Sequence, residues 1–346
     1  MTRIVVVGGS GFLGSRAVRA LERAPGVEVV SAGRRGPLVV DLSRPETFAS
    51  LEGADVVVDV SSSHAVAPDA LARFCLARGL TLLEASSDRV IVERLLDAHR
   101  ADRTSPGALV LGAGIFTGLS NAMAGEVARL LPGATAIELG VSSSPFSGAG
   151  GGTVDLMADV LAIPTRAIRA GARVDDPPVS PGPVLPFPRG PRATIQVPFA
   201  EPVMVHASTG APAVAMYMAP RPALLRLAFL ALPIRLLRSA PFGAFMRLYF
   251  RLVRRVLLGT RASPVELVAR ARAGTGEAVV TLHVEDGMEA GGVAIAATAL
   301  ALGRAIGERT KGTHLVDEVV PFERMVAEMR ALAPDLALGI SRSSGR

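Results

Sequence analysis

Through the first third of the chain, short unbroken apolar runs alternate with stretches in which apolar residues return every three or four positions. The runs occupy residues 3–7, 27–32, 38–41, 55–60, 81–85 and 108–114, with the length and β-branched content of strands buried on both faces. Between them, Leu13, Ala17, Ala20 and Leu21 share one helical face, and residues 45–53 predict a short helix that starts on proline. Residues 68–79 and 89–103 carry longer helical patterns, the first closed by Gly79. Strands and helices alternating at this spacing predict parallel strands joined by crossovers, an α/β fold with a doubly wound sheet.

Past residue 116 the pattern becomes mixed. Residues 175–191, "DDPPVSPGPVLPFPRGP", are so rich in proline that a loop is expected, neither helix nor central strand. In "HVEDGMEAGGVAIAATALALGRAIG" a hairpin turn is expected at Asp286 and Gly287, followed by a helix of small residues. The division that results is a dinucleotide-binding domain over 1–116, a second, mixed α/β substrate domain over 117–287, and C-terminal helices over 288–346 that return to the first domain.

The turn after the first strand carries the clearest chemistry. Gly9, Gly11 and Gly14 fit G-x-G-x-x-G, and Gly8, Gly11 and Gly14 fit the looser G-x-x-G-x-x-G. Such glycines serve a tight turn, close approach of backbone to a diphosphate, and close helix–strand packing, while the helix start offers free amides and a positive dipole end. Gly8, Gly9, Ser10, Gly11, Phe12, Leu13 and Gly14 therefore form the expected cradle of a Rossmann domain. After the second strand, "SAGRRG" offers Arg34 and Arg35 where an NAD site usually places an acidic residue, which favours NADP over NAD. A solvated arginine pair is the plainer alternative.

Ligands of such sheets lie at the carboxyl ends of the strands. That rule nominates Asp41 and Leu42 for the adenine edge, Ser61, Ser62, Ser63 and His64 near a nicotinamide, then Ser86 with its neighbours Glu84 and Asp88, and Gly114 after the sixth strand. Polar residues there also cap helices, an equal reading for Ser63 and Asp69. His64, the one group of this crescent titrating near neutrality, is the candidate catalytic residue, against a surface or capping role.

Composition narrows the partners. The chain has a net charge of +6, 49% hydrophobic residues, two Tyr and no Trp. With so few stacking platforms and no basic tail, nucleic acid is not an expected partner. The single Cys75 stands at helical spacing with Leu71 and Phe74, as a buried core thiol. No secretory leader is expected, and the setting is cytoplasmic. Histidine spacings lack H-E-x-x-H, G-x-S-x-G is missing, and neither Tyr217 nor Tyr249 has a lysine four residues on. Metal catalysis, a serine elbow and a Tyr/Lys relay are thus not expected, and the proton donor stays unassigned.

Residues 221–261 contain no Asp or Glu, and Arg226, Arg235, Arg238, Arg247, Arg251, Arg254 and Arg255 interrupt their apolar residues. No run reaches the roughly 18 residues of a membrane span, and two amphipathic helices broken near Pro233 and Pro241 are expected. Four roles suit them: packing in the core with arginines reaching water, resting peripherally on an anionic inner-membrane surface, binding a greasy acyl substrate, or sealing a dimer. Upstream, Ser144, Phe146 and Ser147 with Gly148, Gly150, Gly151 and Gly152 form a candidate pocket wall.

By "GADVVVDVSSSHAVAPDALARFCLARGLTLLEASSD" and "GAGIFTGLSNAMAGEVAR" the chain resembles the saccharopine dehydrogenase-like family. Gly118, Leu119, Ser120 and Asn121 match the family's loop, although Thr117 stands where a proline is usual. The resemblance implies a homodimeric NAD(P)-dependent oxidoreductase whose second domain binds substrate, with Phe116, Ser120, Asn121, Phe146 and Ser147 as candidate substrate contacts. Some relatives resemble trans-acting enoyl reductases, and the apolar second half agrees with them. The expected activity is NADPH-dependent hydride transfer to a hydrophobic, lipid-like unsaturated substrate at a membrane surface. Reduction of an imine or amino-acid condensation product, or a non-catalytic NADP-binding scaffold, are the alternatives.

Overall fold

The computed structural model describes residues 1–61, 66–144, 163–231, 240–253, 263–305 and 311–345. They form two units, Met1–Ala122 with Glu289–Leu336 and Met123–Met288 with Ala337–Arg346.

The first unit is a seven-stranded parallel sheet. Strands β1 (Thr2–Val7), β2 (Val27–Gly33), β3 (Leu38–Val39), β4 (Val56–Asp59), β5 (Thr81–Glu84) and β6 (Ala108–Leu111) are joined by a late strand, β15 (Gly312–Leu315). Their order is β15-β6-β5-β4-β1-β2-β3, so the chain reverses direction of travel across the sheet between β1 and β4, the switch point where such sheets bind ligands. Ile4, Val5 and Val6 are fully buried, as a strand covered on both faces requires. Helix α1 (Gly14–Leu21) buries Gly14, Ala17, Ala20 and Leu21. Helices α2 (Asp69–Arg78) and α3 (Arg89–His99) follow β4 and β5.

Two sequence expectations shift here. Strand β3 stops at Val39 rather than 41, because the Asp41 carboxylate accepts from the Ser43 amide at 3.0 Å and hydroxyl at 2.7 Å, turning the chain. The helix expected at 45–53 is a 3₁₀ turn over Pro45–Leu51.

The second unit is built on a largely antiparallel sheet. Its strands are β7 (Ala136–Ser143), β8 (Thr165–Arg169), β9 (Ala172–Asp176), β10 (Pro181–Phe187), β11 (Gly190–Gln196), β12 (Ala213–Pro220), β13 (Val265–Ala273), β14 (Gly276–Val284) and β16 (Gly339–Gly345). The main path runs β10-β11-β12-β7-β13-β14-β16, with only β7 and β12 parallel, and β8 joins β12 and β9. Helix α4 (Ser120–Leu130) leads in, and α5 (Glu201–Thr209), α6 (Leu224–Ala231) and α7 (Ala240–Val253) complete the described helices of this unit.

The proline-rich stretch is a correction: much of it is strand. β10 lies at the end of the path, where proline's missing donor is tolerated, and its register slips between Pro181 and Val184. The break expected near Pro241 falls at the start of α7, in whose first turn proline costs no amide partner, while Pro233 lies outside the described residues. Asp286 and Gly287 do not make a hairpin: the Asp286 carboxylate accepts from the Met288 amide at 2.9 Å and opens helix α8 (Gly287–Arg304). The small residues of α8 allow close packing, since a Cβ on Gly292 would stand 2.3 Å from Arg16 Cβ. Short helix α9 (Val316–Val319) and α10 (Phe322–Leu332) close the first unit. Residues 337–345 do not return there; β16 pairs antiparallel with β14 in the second.

Leu185, Phe187, Ala219 and Val268 form a buried layer over the second sheet, and Gly140 lies beneath it, where a Cβ would fall 2.6 Å from Leu185 and 2.8 Å from Val268. Gly140→Val should therefore overpack this layer and cost about 1–3 kcal/mol. A scanning-calorimetry trace identical to that of the natural chain would mean that the layer is not closed at this point.

Candidate functional site

The glycine turn has the geometry its spacing predicts, and each glycine answers to a different neighbour. Gly8 has φ +81°, and a Cβ there would meet the Ser61 amide nitrogen at 2.9 Å. At Gly9 it would strike Ser31 Oγ at 2.5 Å, and at Gly14 the Gly8 carbonyl oxygen at 2.1 Å. The start of α1 is thus pressed against the end of β1, with the tip of β4 alongside. The Gly11 amide donates to the Gly8 carbonyl at 2.8 Å, which closes the turn. Helix α1 has Leu13 as its N-cap and no side-chain cap. An uncapped first turn behind a bare glycine loop is what a diphosphate needs, so the residues present fit the phosphates of a dinucleotide. Phe12 packs under Arg16, whose guanidinium stands 4.1 Å over the ring and donates to the Phe12 carbonyl at 2.7 Å.

The loop after β2 runs next to this turn, since the Gly8 amide donates to Ala32 at the end of β2. Arg34 and Arg35 are exposed there. Asp41 faces the same loop; its bonds from Ser43, then the positive charge of Arg34, hold its carboxyl below the usual range. It shapes the turn that leads past half-buried Leu42.

At the ends of β4 and β5 the structure brings together two acids. Asp59 and Glu84 are paired across the strands and each is 2% exposed. Asp59 Oδ1 accepts the Ser61 amide at 2.9 Å and Glu84 Oε1 accepts the Ser86 amide at 3.0 Å. Burial raises both above their ordinary values, and the neighbouring Asp59 charge pushes Glu84 up further. Two acids buried side by side cannot both be charged, so the pair keeps a proton, held by Glu84 as the group pushed up further. The pair thereby ties down the chain after both strands. Ser86, 8% exposed, is absorbed in this structure, accepting the Asp88 amide at 3.2 Å.

The loop after β6 is strained. Gly114 has φ +81° and Thr117, fully buried, has φ +57°, a conformation that a β-branched residue avoids. The Thr117 hydroxyl donates to the Phe116 carbonyl at 2.7 Å and to the Ser86 carbonyl at 3.4 Å. Gly118 lets the loop lie on Ala113, which a Cβ would approach to 2.6 Å. Phe116 is partly exposed. Ser120 and Asn121 are 3% and 0% exposed, so in this conformation they support the loop from within and do not offer a surface to a substrate.

Ser62, Ser63, His64, Phe146 and Ser147, with Gly148 and Gly150–Gly152, lie outside the described residues. Cys75 is fully buried and burial pushes its thiol upward. Asp88 caps α3 through the Val90 amide at 2.8 Å, whereas Asp69 caps nothing and pairs with Arg94 at 2.7 Å.

The second unit holds a cluster that sequence reasoning missed. Arg192 on β11 and Arg221 after β12 both donate to the Ser142 hydroxyl, at 3.2 and 3.0 Å, and both pair with Glu266 on β13, which is fully buried. Arg189 approaches Glu266 to 3.7 Å and binds Glu285 at 2.6 Å. Burial first, then the charges of Arg221 and Arg189, lower the pKa of Arg192. Three guanidiniums thus share two carboxylates, a local excess of positive charge beside a hydroxyl. The residues come from six separate strands or loops, and no motif joins them.

No family model matches this chain, and no curated protein matches it. Solved structures do. Over 96% of both chains it superposes on a C. glutamicum DAP dehydrogenase in complex with DAP, with a TM-score of 0.52 at 13% identity. A Clostridium tetani meso-DAP dehydrogenase mutant with DAP gives 0.51 at 13% identity over 94% of this chain and 96% of that one. An engineered D-amino acid dehydrogenase gives 0.51 at 13% over 97% of each. The likeness establishes the fold of NAD(P)-binding dehydrogenases and does not single out the saccharopine dehydrogenase-like family.

The acid pair sets a pH dependence. The native chain keeps a proton that the unfolded chain releases near the ordinary Glu value of 4.5, so stability is greatest below that pH and falls as pH rises towards the native pair's own titration. Each tenfold change in proton affinity is worth about 1.4 kcal/mol. Glu84→Gln keeps the shape and a donor towards Asp59 but removes the titration. Melting curves from about pH 4.5 to 8 should therefore shift in the variant's favour as pH rises; parallel curves would show that no proton is shared.

Proposed function

We propose that this protein is an NADP(H)-dependent oxidoreductase acting on a small, carboxylate-bearing, amino-acid-like substrate. The observation that carries the reading is the cradle: a glycine turn on which no side chain fits, feeding a helix whose first amides have no side-chain cap. When bound, a nicotinamide dinucleotide supplies or accepts a hydride. The chain's own residues do the rest. Gly8 to Gly14 seat the diphosphate, Arg34 and Arg35 answer the charge of a 2′-phosphate, and the Asp59–Glu84 pair holds the chain at the ends of β4 and β5. Holding reactants in place supplies much of the acceleration in such a reaction.

The substrate class is argued from the second unit. The Arg189, Arg192 and Arg221 group, with Ser142, presents under-compensated guanidiniums in a geometry suited to a carboxylate. The DAP carried by two of the fold neighbours is of that chemical class. The lipid-like substrate expected from the composition has less in its favour, because the apolar side chains that pointed to it, such as Leu224 and Leu248, are 77% and 67% exposed on the surface.

Replacing Arg34 and Arg35 by Ala should weaken NADPH binding by about tenfold or more, two charged hydrogen bonds being removed, and change NADH binding little. Equal loss for both would remove the NADP preference. Turnover is tested by NADP reduction with a panel of amino acids and by NADPH oxidation with 2-oxo acids and ammonia. Arg192→Met should raise KM for the active substrate at least tenfold and leave coenzyme affinity unchanged. Tight NADPH binding without turnover in either direction would favour the scaffold reading.

A further inference from the structure

Six of the ten large apolar side chains exposed among the described residues fall on two short helices of the second unit. On α6 these are Leu224 and Leu227, 77% and 60% exposed; on α7 they are Phe245, Leu248, Tyr249 and Leu252, between 42% and 67% exposed. The α7 positions are spaced i, i+3, i+4, i+7, which puts them on one stripe. Phe245 and Tyr249 stack with their ring centres 6.1 Å apart, so the stripe carries a preformed aromatic patch. A soluble surface rarely concentrates apolar side chains in this way without a partner.

Charge identifies the partner's chemistry. Residues 221–261 contain nine arginines and no Asp or Glu, while the whole chain carries only +6, so the rest of the protein is net acidic. The positive charge and the exposed apolar stripe therefore belong to the same 41 residues. We propose that α7 is a peripheral docking element for an anionic lipid bilayer, with its stripe seated at the headgroup–acyl boundary and the positive charge of the surrounding sequence drawing it to lipid phosphates. Aromatic and leucine side chains on one helical stripe within an arginine-rich segment match an interfacial helix. At 14 residues α7 is about 21 Å long, and among the described residues no helix is long and apolar enough to cross a membrane, so a superficial contact is the one proposed. A second copy of the chain is a poorer occupant, because a symmetric seam would set this arginine-rich, acid-free stretch of sequence against itself. Nucleic acid would leave the leucines in water.

The test is co-sedimentation of the full chain with phosphatidylcholine vesicles, with and without about one third phosphatidylglycerol. Binding should be at least tenfold stronger to the anionic vesicles and fall steeply between low salt and 0.5 M salt, roughly the range over which screening tightens below 5 Å. Leu248→Ser with Leu252→Ser, both at exposed positions, should weaken binding severalfold at low salt without moving the melting temperature. Equal partitioning to both vesicle types would overturn the proposal. So would unchanged binding by the double variant, or a self-association measured by sedimentation that the same variant abolishes. None of these readouts involves the coenzyme, so they stand apart from the functional reading above.

Discussion

The contact on which the first unit depends is the approach of α1 to the end of β1, where a single methyl group on Gly14 would come within 2.1 Å of the Gly8 carbonyl. Because that space is filled by nothing but backbone, the helix start reaches the switch point of the sheet, and its amides are left without a side-chain cap. The small residues of α8 extend the same principle: Gly292 admits Arg16 and Gly303 admits Thr2, each closer than a Cβ would allow. Tight packing and the bare helix start have one cause, the absence of side chains along this seam.

Around the cradle, electrostatics do the positioning. Asp59 and Glu84 end neighbouring strands, and their shared proton lets two acids occupy an apolar interior that would otherwise expel them. Their backbone bonds to Ser61 and Ser86, and the bond from Thr117 to Ser86, link the loops that follow three consecutive strands of the sheet. In the second unit the opposite sign prevails, with guanidiniums gathered on one buried glutamate. These two concentrations of charge, one acidic and inward, one basic and partly exposed, are where the described structure departs most from an ordinary apolar core.

Legibility in the sequence followed the range of the interactions. The parallel sheet could be read because a strand covered on both faces must be apolar throughout, as Ile4 to Val7 are. The cradle could be read because its glycines act within ten residues of one another. Asp59 was hidden for the converse reason: a lone acid at the tip of "VVVD" looks like a strand end meeting water, and only pairing with Glu84 from the next strand shows that it is buried. The proline-rich segment misled because proline excludes a central strand and the sequence does not say which strands are edges.

Composition and local spacing were enough to establish the α/β class, the glycine turn, the two arginines beside it and an arginine-rich segment whose apolar runs are each too short to span a bilayer, since each of these is set by neighbours a turn or a strand away. Folding alone brought Arg192, Arg221, Ser142 and Glu266 to one place, buried Ser120 and Asn121, and turned Phe245, Leu248, Tyr249 and Leu252 outward. Those outcomes depend on which strand lies beside which and which face of a helix is covered, and no local pattern carries that information.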